Sequence, residues 1–295
     1  MNGQPPSPAL PRHAEGSTKV RVRGTPVSRL PLPETERGPG TGVRRHGLPL
    51  AVLIGLVIVW EMWVRLFRVD PHELPAPSLI LNAFRGQGAF YADNTWRTAQ
   101  ETAVGFAVAV LTGLFFAFVV DATPLLRRAI YPLLIGSQTI PIIAIAPLLI
   151  IHYGFGLLPK VIIIVLYCFF PIVVSTVDGL RAAEPEMLNL LRAMGASRWQ
   201  LLHVARIPAA LPSIFSGVKI AATYAVTGAV VSEWLGGSKG LGVSMIRAQK
   251  SFAPDKVFAA VFIVMLLTLA LFLVIDLAAR WLMPWYVATR KEYSE

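Results

Sequence analysis

"LNLLRAMGASRWQLLHVARIPAALP", residues 188–212, lies between two long apolar stretches and is too polar to cross a membrane yet too apolar for a plain connector. Pro185 is a favourable first helical residue. From it Met187, Leu188, Leu190, Leu191 and Met194 fall on one arc, with Glu186, Asn189 and Arg192 opposite. Gly195 can adopt the left-handed conformation that closes a helix, and Ser197 with Gln200 matches a capping box that opens another. The spacing predicts a helix, a glycine corner and a second helix. At about 100° per residue, Leu201, Leu202, Val204 and Ala205 form the second helix's apolar face, while Trp199, His203 and Arg206 share its polar side. A Trp turned from its own core and flanked by Arg and His suits a protein–protein contact. An amphipathic hairpin resting on lipid headgroups is the competing reading.

Apolar windows long enough to cross about 30 Å of hydrocarbon surround this stretch. They lie near 48–67, 99–120, 128–151, 159–177, 208–234 and 257–284. With 55% hydrophobic and 15% charged residues, the chain reads as an all-α polytopic membrane protein with six transmembrane helices. Residues 1–47 are rich in Pro, Gly, Ser and Arg and are expected to be a disordered tail. A membrane domain should follow over 48–286, with a loop at 178–207, and a short tail over 287–295. The first apolar run ends in "WEMWVR" rather than a small-residue cleavage site, which argues for a retained span.

Lys and Arg number 16 in the two tails and the loops at 121–128 and 178–207, against 8 in the opposite loops, so the positive-inside rule places both termini in the cytoplasm. The net charge of +10 then belongs to cytoplasmic segments facing anionic lipid. No basic stripe interleaved with aromatics points to nucleic acid. Trp60, Trp63, Trp96 and Trp234 fall near outer span ends and Trp281 and Trp285 near an inner one, as in interfacial belts. The lone cysteine, Cys168, sits in an apolar run and reads as a packing residue.

Ionisable residues inside spans are costly and are functional candidates by default. Glu61 with Arg65, and Asp276 with Arg280, are i, i+4 pairs able to neutralise themselves. Lys219 is expected to snorkel toward the cytoplasmic end of its helix. Glu233, at the outer end of the fifth span before a glycine-rich loop, is a candidate gate or entry contact, against a solvated helix end or a pair with another span. Pro141 and Pro147 in "GSQTIPIIAIAP" free carbonyls that are tolerated next to protein or a water-filled cavity. That makes Ser137, Gln138, Thr139 and Pro141 pathway candidates along with Tyr224 of the fifth span, unless the segment is simply a kinked packing helix. The small-residue ladders Gly105, Ala109, Gly113, Ala117 and Gly217, Ala221, Ala225, Ala229 read as helix packing. "GGSKGLG", residues 236–242, lacks the phosphate-loop spacing. The five histidines are scattered, and neither a metal set nor a nucleophile triad can be assembled. A membrane enzyme lacks its constellation, and an ion-driven carrier lacks a visible inverted repeat.

The Gly195-Ala196-Ser197 turn, the Ile207-Pro208 after it, and its position between the fourth and fifth spans resemble the cytoplasmic loop of binding-protein-dependent ABC transporter permeases. "WE" at 60–61, "LPAPS" at 74–78, the Pro141 and Pro147 region, "GVKIAATYAVTGAVVSEWLGGSKGLG" and the terminal "PW" resemble the branch that serves nitrate, sulfonate, taurine and pyrimidine precursors. "VVSEWLGGSKGLG" and "SFAPDKVFA" look most like permeases for thiamine-precursor pyrimidines or riboflavin. The family's Glu-Ala-Ala triplet would fall at Asn189, Leu190 and Leu191, a departure from its pattern. The resemblance implies a type I importer permease (MetI-like) fold in a bacterial inner membrane, acting as a transport subunit with no ATP site or bound cofactor of its own. ATP and Mg would belong to a partner ATPase, a second permease subunit would complete a homodimer, and a solute-binding protein would deliver cargo. Residues expected to couple to the ATPase are Arg192, Met194, Gly195, Ala196, Ser197, Trp199, His203 and Arg206.

Overall fold

A computed structural model of the protein describes residues 41–285. Regular structure among them is helical throughout, in the order α1 (Thr41–Leu66), α2 (Pro77–Ala83), α3 (Gly88–Ala122), α4 (Pro124–Ser137), α5 (Ile142–Tyr153), α6 (Leu157–Arg181), α7 (Pro185–Ala193), α8 (Arg198–Gln200), a π-helical segment (Leu201–Arg206), α9 (Ile207–Gly236), α10 (Leu241–Lys250) and α11 (Pro254–Leu282). Prolines open α2, α4, α7 and α11, where the missing N–H has no intrahelical partner to lose. The expected tails at 1–47 and 287–295 lie outside the described residues, except that Thr41–Gly47 already belong to α1.

Among the described residues, α3, α6, the continuous stretch Arg198–Gly236 and α11 are long and apolar enough to cross a membrane. The pair α4 and α5 would make a fifth span, bent by 94°, and the first expected window falls in α1. The window at 128–151, expected as one span, is thus two helices. Pro141 causes the break: it cannot donate to the helical ladder, and it drives Ile140 out of the helical region.

Helix α6 forms the centre, packed between α3 and α9. Ile164, Cys168, Ile172 and Leu180 of α6 are buried against Ala109 of α3 and Ala221, Ala222, Ala225 and Ala229 of α9. Both small-residue ladders are buried along their whole length. Each i+4 step drifts about 40°, but α3 and α9 are each covered from more than one side, so the drift stays within the buried arc. The approach is close: a Cβ on Gly217 would lie 2.5 Å from Ser175 Cβ and 2.6 Å from the Pro171 carbonyl oxygen. Where lipid removes the hydrophobic drive between helices, such backbone proximity supplies the association energy. Cys168 is buried, its thiol donating to the Ala221 carbonyl at 3.3 Å.

Several expectations about charges and aromatics change in three dimensions. Glu61 and Arg65 pair at 2.5 Å as expected, and Glu61 also accepts the Ser78 amide at 3.0 Å, fixing α2 to α1. Asp276 accepts from Arg280 at 2.7 Å. Lys219, expected to snorkel, instead pairs with Asp276 across the α9–α11 contact, a shorter route to neutrality than climbing to the membrane surface. Trp60, expected in an interfacial belt, is half-buried, with its ring 5.8 Å from that of Phe258 of α11.

Candidate functional site

The corner at 185–206 is built by two interlocked caps. The Gly195 amide donates to the Arg192 carbonyl and the Ala196 amide to the Leu191 carbonyl, each at 3.0 Å. This is the Schellman pattern, and it needs the left-handed φ of +84° that Gly195 adopts. Ser197 then opens the next helix. Its amide donates to Gln200 Oε1 at 2.7 Å, and its hydroxyl accepts the Gln200 amide at 3.3 Å. Both predicted devices are present.

The segment after them is π-helical, with the Ile207 amide reaching back to the Leu202 carbonyl. Pro208 lacks the N–H that would continue the α ladder, and the wider turn re-aims the side chains upstream. As a result Leu201 and Ala205 are buried, whereas Val204, expected on the same apolar face, is 63% exposed. Arg206 turns inward. Its Nε donates to the Leu180 carbonyl at 3.0 Å and its Nη2 lies 2.8 Å from Asp121, tying the corner to the ends of α6 and α3. Trp199 is 69% exposed and packs against His203, the rings tilted by 48° with centroids 4.1 Å apart. Met187, Leu190 and Met194 are exposed as well, so much of the predicted apolar arc of α7 is left uncovered by the described residues. Arg192, Trp199 and Arg206 line one cleft of about 1020 Å³ with Arg181 and Arg198; Met194, Ser197 and His203 do not.

Ser137, Gln138, Thr139 and Pro141 sit at the 94° break between α4 and α5, all exposed. The Ser137 hydroxyl donates to the Leu134 carbonyl at 2.7 Å and that of Thr139 to the Gly136 carbonyl at 2.8 Å, satisfying part of the broken ladder. Tyr224 is 46% exposed and shares an open stripe of α9 with Ile220, Thr223 and Thr227. Among the described residues nothing covers this strip in the middle of the helix.

Glu233 is 1% exposed. Its Oε1 accepts the Thr98 hydroxyl at 2.7 Å and its Oε2 accepts the Gly242 amide at 2.6 Å. Asn94 accepts the Gly240 amide at 2.8 Å, and the Thr98 hydroxyl also accepts the Leu241 amide at 2.9 Å. The glycine-rich loop is therefore folded around a buried carboxylate supported by α3. Lys239, the nearest cation in sequence, pairs with Asp93 at 3.1 Å instead. A second buried acid escapes sequence reasoning. Glu101 Oε1 lies 2.9 Å from Arg97 Nε and 2.6 Å from Lys160 Nζ. Its i, i+4 spacing to Arg97 is the available signal, masked because Arg97 falls outside the apolar window that holds Glu101 and because Lys160 is 59 residues away in the chain.

The fold defines an all-helical protein with four helices, or five if the bent pair α4–α5 is one span, long and apolar enough to cross a membrane among the described residues. Residues 78–287 match the family of binding-protein-dependent transport system inner membrane components, and the chain belongs to it. It is 34% identical to the formylaminopyrimidine transport permease protein ThiX of Halalkalibacterium halodurans, over 80% of this chain and 95% of that one. It is also 34% identical to the riboflavin transport system permease protein RibX of Chloroflexus aurantiacus, over 81% and 90%. The taurine transport system permease protein TauC of Escherichia coli is 27% identical over 82% and 91%. In structure, a chain of the inward-facing MetNI methionine ABC transporter superposes with a TM-score of 0.53 at 19% identity, covering 66% of this chain and 98% of that one. The MetI-like permease fold is thus established.

Proposed function

We propose that the protein is the permease subunit of an ATP-driven importer, moving a small solute delivered by an external binding protein. In this reading both termini face the cytoplasm. The corner at 185–206 docks into a partner ATPase that holds ATP and Mg, and a second copy of the chain completes the translocation path. The observation that carries it is the exposed Trp199 on a capped corner that Arg206 anchors to α3 and α6. An exposed aromatic on a capped corner suits a hot-spot contact, and Arg206 braces that corner against α3 and α6. The break at Ser137–Pro141 and the open Tyr224 stripe supply polar surface for a path between two copies. Relatives named for formylaminopyrimidine and riboflavin, at 34% identity, support a thiamine-precursor pyrimidine or riboflavin as cargo. Aliphatic sulfonate, taurine or nitrate is the alternative, supported by the taurine relative and by the cationic cleft beside Lys160.

The test is ATP-dependent uptake in proteoliposomes containing permease, ATPase and binding protein. Uptake that requires ATP and the binding protein supports the reading. Uptake driven by a proton or sodium gradient without an ATPase refutes it.

A further inference from the structure

The same Schellman pattern closes α7 and α10. After α7 the left-handed residue is Gly195; after α10 it is Phe252, with φ +50°. The Phe252 amide donates to the Gln249 carbonyl at 3.1 Å and the Ala253 amide to the Ala248 carbonyl at 3.0 Å. A bulky side chain in this backbone region is an outlier that costs strain. His72, from the connection between α1 and α2, holds the turn in place: its Nδ1 donates to the Phe252 carbonyl at 3.1 Å.

Packing within the chain does not account for the phenyl ring. It is 80% exposed, so it adds little to the core, and a glycine would close α10 without strain. Its sequence neighbours Gln249, Lys250, Ser251 and Lys256 are exposed and polar, a setting that suits water better than hydrocarbon. A strained residue that gives its own fold so little marks a site used from outside.

A cleft of about 370 Å³ adjoins the turn at Ser251, with Gln87, Tyr91, Ser244, Arg247 and Lys256 in its wall. Arg247 donates through Nη2 to the Ser238 carbonyl at 2.9 Å, which leaves the rest of its fork available. Lys256 makes no ion pair among the described residues, and no carboxylate lines the cleft. Asp255, at the start of α11, reaches Tyr91 electrostatically from outside the cleft wall.

We propose that Phe252 and this cleft together form the docking surface for the external solute-binding protein. Phe252 enters an apolar socket on that protein, and a carboxylate at the rim of the socket reaches Lys256 and Arg247. An aromatic anchor supplies affinity in such a contact and the charge pair supplies register. The inference rests on the importer reading and on its topology, which puts the end of α10 outside. The family is binding-protein-dependent, and this surface says where such a protein meets the chain and which residues select it.

The test uses the full-length permease in nanodiscs and, as probe, the cargo-loaded binding protein that supports uptake in the proteoliposome assay, with affinity read by biolayer interferometry. Phe252→Gly removes the ring and the strain together. It should weaken binding at least tenfold while the melting midpoint of the permease stays the same or rises, a split that a structural role for the ring would not give. Lys256→Gln should weaken binding several-fold and reduce its dependence on salt, whereas Arg128→Gln, at the opposite end of the molecule, should leave it unchanged. Wild-type affinity in Phe252→Gly or Lys256→Gln, or a lowered melting midpoint in Phe252→Gly, overturns the proposal. In a Cys168→Ala background, a bimane label on Phe252→Cys should shift its emission when the binding protein is added. Quenching of that label by brominated lipid would seat residue 252 in the leaflet and also overturn the proposal. The importer reading fails separately, if no external protein supports ATP-dependent uptake by the wild type.

Discussion

The amide of Gly242 donates to Oε2 of Glu233 at 2.6 Å, closing the glycine-rich loop over a carboxylate buried at the end of α9. A Cβ on Gly240, whose φ is +127°, would overlap Oε1 of the same carboxylate. Gly240→Ala should therefore displace the loop and lower folded yield several-fold, at a cost of a few kcal/mol from backbone strain and displaced packing. Size-exclusion chromatography and thermal melting in detergent measure it; a wild-type melting midpoint would contradict this account of the loop.

Glu233 itself separates charge from hydrogen bonding. Glu233→Ala orphans the Gly242 amide, while the Thr98 hydroxyl falls back on the Asn94 carbonyl at 3.1 Å, and should cost about 2 kcal/mol. Glu233→Gln keeps an acceptor for Gly242, while the Thr98 hydroxyl can rotate to accept from the new amide, so most stability should survive. A wild-type melting midpoint for Glu233→Ala would show that the network contributes no stability.

Arg206→Ala removes the clamp between the corner and the ends of α3 and α6, leaving Asp121, 6% exposed, without its cation. The expected loss is about 2 kcal/mol, below that of a fully buried pair because Arg206 is partly exposed. Uptake should fall more than ATP hydrolysis, since the corner would then move without the helices. An unchanged ratio of transport to hydrolysis would refute the bracing role.

A Cβ placed on Gly195 would have no atom within 4 Å, so replacement strains only the backbone, at φ +84°. Gly195→Val should cost about 1–2 kcal/mol and uncouple hydrolysis from uptake, whereas Gly195→Asn, which tolerates that region, should lose less. Similar coupling in Gly195→Val and the wild type would contradict a rigid corner.

The chain's single thiol makes orientation accessible. In a Cys168→Ala background, Ser238→Cys should react with an impermeant maleimide added from outside and Ser197→Cys only after the membrane is opened. Labelling of Ser238→Cys from the cytoplasmic side alone would reverse the topology.

Local features are legible in the sequence because local chemistry decides them. Pro185, Gly195, Ser197 and Gln200 specify their caps within a few residues, and the Glu61–Arg65 and Asp276–Arg280 pairs lie one turn apart. The small-residue ladders signal the tight packing around α6. What escapes depends on contacts far apart in sequence: Lys219 reaching Asp276, Lys160 reaching Glu101, and Glu233 enclosed by its loop and Thr98. The π segment is not readable from residues alone because a proline's effect on the preceding turn depends on what that turn packs against. Val204 consequently lies off the face that its spacing predicts.

The central claim is that the corner around Trp199 receives an ATPase. The most direct measurement is to extract tagged protein from native membranes in mild detergent and identify what co-purifies, comparing wild type with Trp199→Ala. Since Trp199 is 69% exposed, its removal should leave the fold intact. The account predicts a P-loop ATPase with the wild type, reduced several-fold with the variant at equal permease recovery. A wild type that brings down no ATPase, under conditions preserving other membrane complexes, would contradict it and favour a hairpin resting on lipid.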